Sequence, residues 1–414
     1  MKYKHTILFL LATGTIHYAN AQEDYDEYMD EDILGIYSDE DIVSIATGTK
    51  KPIHKAPAVA TVITAEDIER SGATDITQVL ERVPGLHVYP SDLVAMNPSY
   101  SIRGMQTGRN SQVLMLVNGV DMKRLFSGAR PEFFRLPVNN IQRIEVLRGP
   151  GSAIYGADAF GGVINIVTKS GHDLDGMHAG IKAGDFDDHY AWMQYGKEIN
   201  DFEFSFSYEE ARSGGDQGRE IQSDLQTNLD AAFGTEAALA PGALPTGYDQ
   251  QHVFAELKHK YAYIRASHFK VESEVNSGAA QALDYQGIYL AEDNLLDIGL
   301  STADMWDTAR IDFKFSYEDQ KNEPKFTLLP RNAVIVIGED GNLFTPGANG
   351  PDGGPVIAMF PDGLIGHPFT DDEKISAELV GLYQGLEHHE LRLSVGHKQQ
   401  EESVSEKKIL VLAC

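Results

Sequence analysis

Hydrophobic and polar positions follow two different rhythms along this chain, and the change falls near residue 171. Before it, Val59 to Ile63 is a short β-branched run. Thr64-Ala65-Glu66-Asp67 then supplies an N-cap with an acidic third helical residue, a weaker capping box that opens a helix over Ala65 to Ser71. Thr74 or Asp75 opens a second helix through Leu80 and Val83 that stops at Pro84-Gly85, and Leu86-His87-Val88 begins a strand. Val113 to Val117 is uniformly apolar and ends in the turn signal Asn118-Gly119, so it predicts a buried strand with Val120 resuming beyond the turn. Ile141, Ile144, Val146 and Leu147 predict another strand, and Val163 to Val167 a last one. Residues 57–171 thus read as a compact α/β unit.

After Gly171 the period becomes two. Phe202, Phe204, Phe206 and Tyr208 alternate with Glu203, Ser205, Ser207 and Glu209; Ile311, Phe313, Phe315 and Tyr317 alternate with Asp312, Lys314, Ser316 and Glu318. Weaker alternation covers residues 176–183, 189–196, 252–269, 375–383 and 390–396, giving roughly eight recognisable strands. Residues 210–249 and 319–373 break the pattern, the second with clusters such as Asn349-Gly350-Pro351-Asp352-Gly353-Gly354-Pro355, and are expected to be long loops.

The N-terminus carries a different signal. Lys2, Lys4 and His5 precede an apolar stretch from Ile7 to Ile16, and Ala19-Asn20-Ala21 has the small-x-small form of a cleavage site, so residues 1–21 are expected to be a secretory signal peptide. Residues 23–41 hold ten acidic side chains and no Lys or Arg, a composition expected to stay solvated, and 22–41 is taken as an acidic flexible segment. The formal charge of −28 divides into +2 over residues 1–22, −10 over 23–41, +4 over 42–171 and −24 over 172–414, so the two domains should attract. It also excludes a basic nucleic-acid binder. The single cysteine, Cys414, removes disulfide scaffolds and Cys-based metal sites.

Four motifs now stand in order: Leu80-Glu81-Arg82-Val83-Pro84-Gly85-Leu86-His87-Val88, Ser101-Ile102-Arg103-Gly104-Met105, Val113 to Asp121, and Ile141 to Lys169. Together they resemble the plug domain of TonB-dependent outer-membrane receptors over about 115 residues. The resemblance implies a plug domain over 52–171 inside the lumen of an antiparallel up-and-down membrane β-barrel of the 22-strand type, begun by residues 172–414. At about 10 residues per strand such a barrel needs roughly 220 residues in strands alone. The 243 residues from 172 onward, less the two long loops, leave room for about half, so the barrel is expected to be partial and the chain a truncated receptor.

The same resemblance implies function. It points to a receptor in the outer membrane of a Gram-negative bacterium, reached after signal-peptide cleavage, that takes up a scarce nutrient of the ferric siderophore, haem or cobalamin type. Its partners would be the TonB energy-coupling protein with its proton-driven motor, outer-membrane lipid and a small metal-chelate substrate. Residues 41–48 resemble a TonB box, with Asp41, Ile42, Val43, Ser44, Ile45, Ala46 and Thr47 offering an extended segment for strand addition to TonB. Arg103 and Arg148 match plug arginines that pair with barrel-wall carboxylates in the family, with Glu145 as a neighbouring charge. Outward-facing plug loops correspond to Tyr89 to Tyr100 and Met122 to Phe134, making Asp92, Met96, Asn97, Arg124, Phe126 and Arg130 ligand-binding candidates by position.

Other chemistry is thin. Gly149, Gly151, Gly156, Gly161 and Gly162 suggest tight turns and close backbone approach, and the run lacks the Gly-Lys-Ser/Thr of a phosphate cradle. No nucleophile elbow, paired catalytic carboxylates or helical histidine motif is present, so no catalytic residue, cofactor or metal is assigned; His388-His389-Glu390 reads as a solvated strand end. Three alternatives stay open: a receptor that signals rather than transports, a surface-binding barrel without energised uptake, and a non-functional fragment.

Overall fold

The computed structural model describes residues 2–14, 42–43, 51–52, 59–89, 98–105, 112–126, 128, 138–149, 151, 155–275, 277, 282–303, 305–337, 356–386 and 389–406. The N-terminal domain is a mixed sheet with two short helices. Its elements are β1 (Val59–Thr64), α1 (Ala65–Ser71), α2 (Ile76–Leu80), β2 (Leu86–Tyr89), β3 (Ser99–Ile102), β4 (Val113–Val117), β5 (Val120–Asp121), β6 (Ile141–Arg148) and β7 (Gly162–Thr168). The sheet order is β1-β6-β7-β4-β5, with β2 and β3 forming a separate ribbon.

Local chemistry explains the boundaries. The Thr64 hydroxyl accepts from the Asp67 amide at 3.2 Å and the Asp67 carboxylate accepts from the Thr64 amide at 3.2 Å, closing the capping box read from sequence. Asp75 caps α2 by accepting from the amides of Thr77 and Gln78 at 2.8 and 3.1 Å. Strand β4 lies between two apolar layers: Val113, Met115 and Val117 join the core with Ile76, Leu80, Ile144 and Ile164, while Leu114 and Leu116 join Leu147 and Val163 on the opposite face. A strand buried on both faces loses its alternation, which is why it reads as a continuous apolar run. Gly162 is needed for space, since a Cβ there would lie 2.7 Å from the Leu147 carbonyl.

A short helix α3 (Gly171–Leu174) leads into nine strands: β8 (Gly176–Gly184), β9 (Asp188–Ile199), β10 (Phe202–Ser213), β11 (Tyr248–His259), β12 (Ala262–Glu274), β13 (Ile288–Ser301), β14 (Ala309–Leu329), β15 (Pro368–Leu386) and β16 (His389–Glu406). They pair in sequence order, every pair antiparallel, as an up-and-down sheet that does not close on itself. The expected alternation is present. On β10, Phe202 and Phe204 are exposed, whereas Ser205, Ser207 and Glu209 are buried.

Three expectations change. Residues 252–269 are two strands, because the chain turns at Lys260-Tyr261 between β11 and β12. Strand β13 has no clear sequence signature: Leu295 is buried beside the less buried Leu296, and Asn294 is less buried than Asp293 and Asp297, so neither face is uniformly polar. The two long connections are folded where described: the first holds α4 (Leu225–Phe233), capped by Asp224, and a ribbon of Glu220–Ile221 with Gly242–Ala243. In the second, β14 continues to Leu329 and Ala333–Ile337 pairs with Val356–Phe360.

The segment expected to be a signal peptide also takes a definite place. Lys2–Gly14 forms a strand antiparallel to β16, with Cα partners running from Lys2 and Ser403 to Gly14 and Leu391. An unpaired edge presents a row of free N–H and C=O groups, and this segment supplies their partners.

Candidate functional site at the plug and barrel interface

The N-terminal domain packs against the inner face of the sheet, touching strands near both of its ends. On one side the Asn139 amide donates to the Tyr190 hydroxyl of β9 at 2.8 Å, and Tyr190 in turn donates to the buried Glu209 of β10. Leu295 of β13 enters the apolar core of the N-terminal domain. On the other side, β5 and the residues after it lie against β14, β15 and β16.

That second contact is dense in charge. The Lys374 ammonium on β15 donates to the carbonyls of Asp121 and Lys123 at 3.2 and 2.7 Å and ion-pairs with Glu318 of β14. Lys398 on β16 reaches the Asp121 carboxylate at 3.2 Å. The Leu125 amide donates to Asp372 of β15 at 2.9 Å, and Asp372 is fully buried. The Asp121 carboxylate also accepts from the Lys123 amide at 2.8 Å, while Lys123 turns its ammonium back to Asp158 at 2.7 Å. Burial alone would raise the Asp121 pKa, but the charges of Lys374 and Lys398 outweigh it, and the carboxyl is held below its ordinary value. Tyr155 moves the other way, its phenol pushed well above the usual range by burial and by the charge of Glu145.

The residues expected to latch the domain sit elsewhere. Arg148, at the end of β6, donates to the Thr61 hydroxyl at 2.9 Å and to the Pro84 carbonyl, both within its own domain. Glu145 is buried in the domain and pairs with Arg143 at 2.8 Å. Arg103 is exposed, with φ of +52°, and its amide closes a turn by donating to the Gly85 carbonyl at 2.8 Å. Arg148 and Glu145 thus each have a partner within their own domain.

Among the ligand candidates, Arg124 is 3% exposed and lies where its charge acts on Asp293 and Asp372, so it belongs to the interface rather than to an open surface. Phe126 is 59% exposed and stays a candidate. Asp92, Met96, Asn97 and Arg130 lie outside the described residues. Of the TonB-box residues, Ile42–Val43 pairs with Lys51–Pro52 as a two-residue ribbon, while Asp41, Ser44, Ile45, Ala46 and Thr47 lie outside the described residues. Among the described residues there is no group of three or more His, Cys, Asp or Glu placed to hold a metal.

Sequence reading missed Asp121, Lys374, Lys398, Glu318 and Asp372 as a set, since the partners stand roughly 250 residues apart. One signal was available. Lys374 occupies an inward position on a strand whose neighbours are acidic, and a buried cation there demands a partner.

The fold and this docking define a class: an N-terminal plug domain seated against the inner wall of an antiparallel barrel sheet. The family model for the TonB-dependent receptor plug domain matches residues 52–163, and those residues belong to that family. The chain is 36% identical over 149 residues to the vitamin B12 transporter BtuB of Vibrio vulnificus (strain CMCP6), an alignment covering 36% of this chain and 24% of the relative. Among solved structures it is similar to FpvA of P. aeruginosa bound to a ferric pyoverdine, with a TM-score of 0.58 and 13% identity over 90% of this chain and 46% of the other. It is also similar to BauA, the ferric preacinetobactin receptor from Acinetobacter baumannii, with a TM-score of 0.58 and 14% identity over 88% of this chain and 50% of that one. The chain therefore spans about half the length of these receptors, whose partial barrel and plug it shares as a fold.

Proposed function

We propose that this chain is the plug and leading barrel portion of an outer-membrane receptor that binds a scarce metal-chelate nutrient and admits it when TonB remodels the plug. The observation that carries this is the plug docked on a sheet whose opposite face is apolar. Phe204, Leu257, Ile264, Ile298 and Phe315 form one outward row in register across β10 to β14, with Phe204, Leu257 and Ile264 each more than 40% exposed. Six residues further along the strands, about 20 Å away, the corresponding row is Glu210, Gln251, Lys270, Glu292, Lys321 and Asp371. An exposed apolar band with a polar border fits lipid.

Cobalamin, ferric siderophore and haem are the substrate classes, the first two favoured by the named relatives. The plug loop holding Phe126 and the loops between β10 and β11 and between β14 and β15 supply the contacts. Asp41 to Thr47 recruits TonB by strand addition. No bond is made or broken in this reading, so it assigns no catalytic residue. The test is energised uptake of labelled cyanocobalamin, haem and ferric siderophores by cells carrying the receptor, with and without residues 41–47. Uptake of one of these that disappears on deletion supports the reading; uptake that survives the deletion rules out the TonB box, and binding without uptake favours a surface-binding barrel.

A further inference from the structure

Residues Asp121 to Leu125 meet the wall almost wholly through one hairpin. Lys374 is 5% exposed, and an ammonium has three N–H donors; here they have three acceptors, the carbonyls of Asp121 and Lys123 and the carboxylate of Glu318. Lys398, on the next strand, takes the Asp121 carboxylate, and Asp372 takes the Leu125 amide. Lys374, Asp372 and Lys398 lie on β15 and β16, which are consecutive strands paired antiparallel. A buried cation is stable only while its acceptors are in place, so withdrawing β5 is opposed by the desolvated Lys374 as well as by the contacts themselves.

We infer that the β15 and β16 hairpin is the anchor of the plug, through a clasp in which wall lysines Lys374 and Lys398 grip the backbone and carboxylate of β5. Its polarity is the reverse of a latch built from plug arginines and wall carboxylates. Arg103 and Arg148 hold the plug's own shape, and their loss leaves the clasp intact. Arg124, buried beside Asp293 and Asp372, adds plug-to-wall attraction of the opposite polarity but without the lysines' hold on the backbone.

The test is amide hydrogen exchange on the 414-residue chain in detergent micelles, read at residues 121–128 against Ile144 and Ile164 as an internal record of plug folding. Asp121→Asn and Lys398→Met are each expected to speed exchange at 121–128 by about tenfold, the response of a local opening that loses one charge-assisted contact, with Ile144 and Ile164 unchanged. The double variant should exchange no faster than Asp121→Asn alone, because both changes remove the same pair. Arg103→Ala should leave 121–128 at the wild-type rate. The inference is overturned if Asp121→Asn leaves exchange unchanged, if the two effects multiply, or if Arg103→Ala frees the loop while the plug core stays protected. Should Lys398→Met unfold the plug core, the milder Lys398→Arg, which keeps the charge, is expected to restore wild-type exchange, and failure to do so also counts against the clasp.

Discussion

The plug interior and the plug's seam with the wall are built from opposite materials. Inside, β4, β6 and β7 are cemented by Met115, Ile144, Val146, Ile164 and Ile166, with Glu145 and Asn165 as buried polar exceptions. At the seam, attachment runs through Lys374, Lys398, Asp372, Asn139 and Tyr190, with Leu295 as an apolar exception. Removing a buried Ile or Leu costs about 2–5 kcal/mol, whereas a hydrogen bond to a charged group, the kind that dominates the seam, contributes about 1.5–3 kcal/mol. A domain so constructed coheres more strongly than it adheres. It can shift as a piece while its sheet survives, which suits a plug that must be held at rest and displaced on demand.

Substitutions in the plug separate the two regions. Ile164→Ala, at a fully buried position shared by the plug core, should destabilise the plug by about 2–5 kcal/mol, measured by denaturant unfolding with a plug-specific probe. Gly162→Ala puts a Cβ 2.7 Å from the Leu147 carbonyl and 2.8 Å from Ile102. Overpacking of that kind should cost about 1–3 kcal/mol in the same assay. Thr64→Ala opens the capping box of α1 and should cost about 1 kcal/mol, a local loss that leaves the seam untouched.

The acid response distinguishes the two regions in another way. Asp121 has a folded pKa below its ordinary value of 3.8, so it stabilises docking above that value and the contribution is lost as pH falls through the lowered one. The groups facing it are Lys374 and Lys398 from the wall, with Glu318 beyond Lys374. Protease access to residues 121–128 should therefore stay constant from neutral pH to about pH 4 and rise only below it, where carboxylates accept protons. A rise centred near neutral pH would mean that another group controls docking.

Much of the plug was legible because its signals are local. The Thr64 cap and the Asn118-Gly119 turn each act within four residues, and they place α1 and the end of β4; α2, by contrast, ends at Leu80, short of Val83 and the Pro84-Gly85 stop where the sequence put its end. Barrel strands with aromatics on one face, such as β10, were equally clear. Strand β13 was not, because its outward face carries Glu292 and Asn294 above Leu296 and Ile298, crossing the border of the apolar band within one strand. The seam was least legible. Arg148 sits beside a glycine at a strand end, and its partners Pro84 and Thr61 stand 64 and 87 residues away, so its pairing is set by the whole fold.

Native-state hydrogen exchange across a urea series, following the amides of β6 and β7 together with those of residues 122–128, tests the difference between cohesion and adhesion most directly. The 122–128 amides are expected to open at a lower urea concentration, by a local event that leaves Ile144 and Ile164 protected. If loop and core amides instead open together at every concentration, plug and wall form one cooperative unit and the proposed separability is wrong.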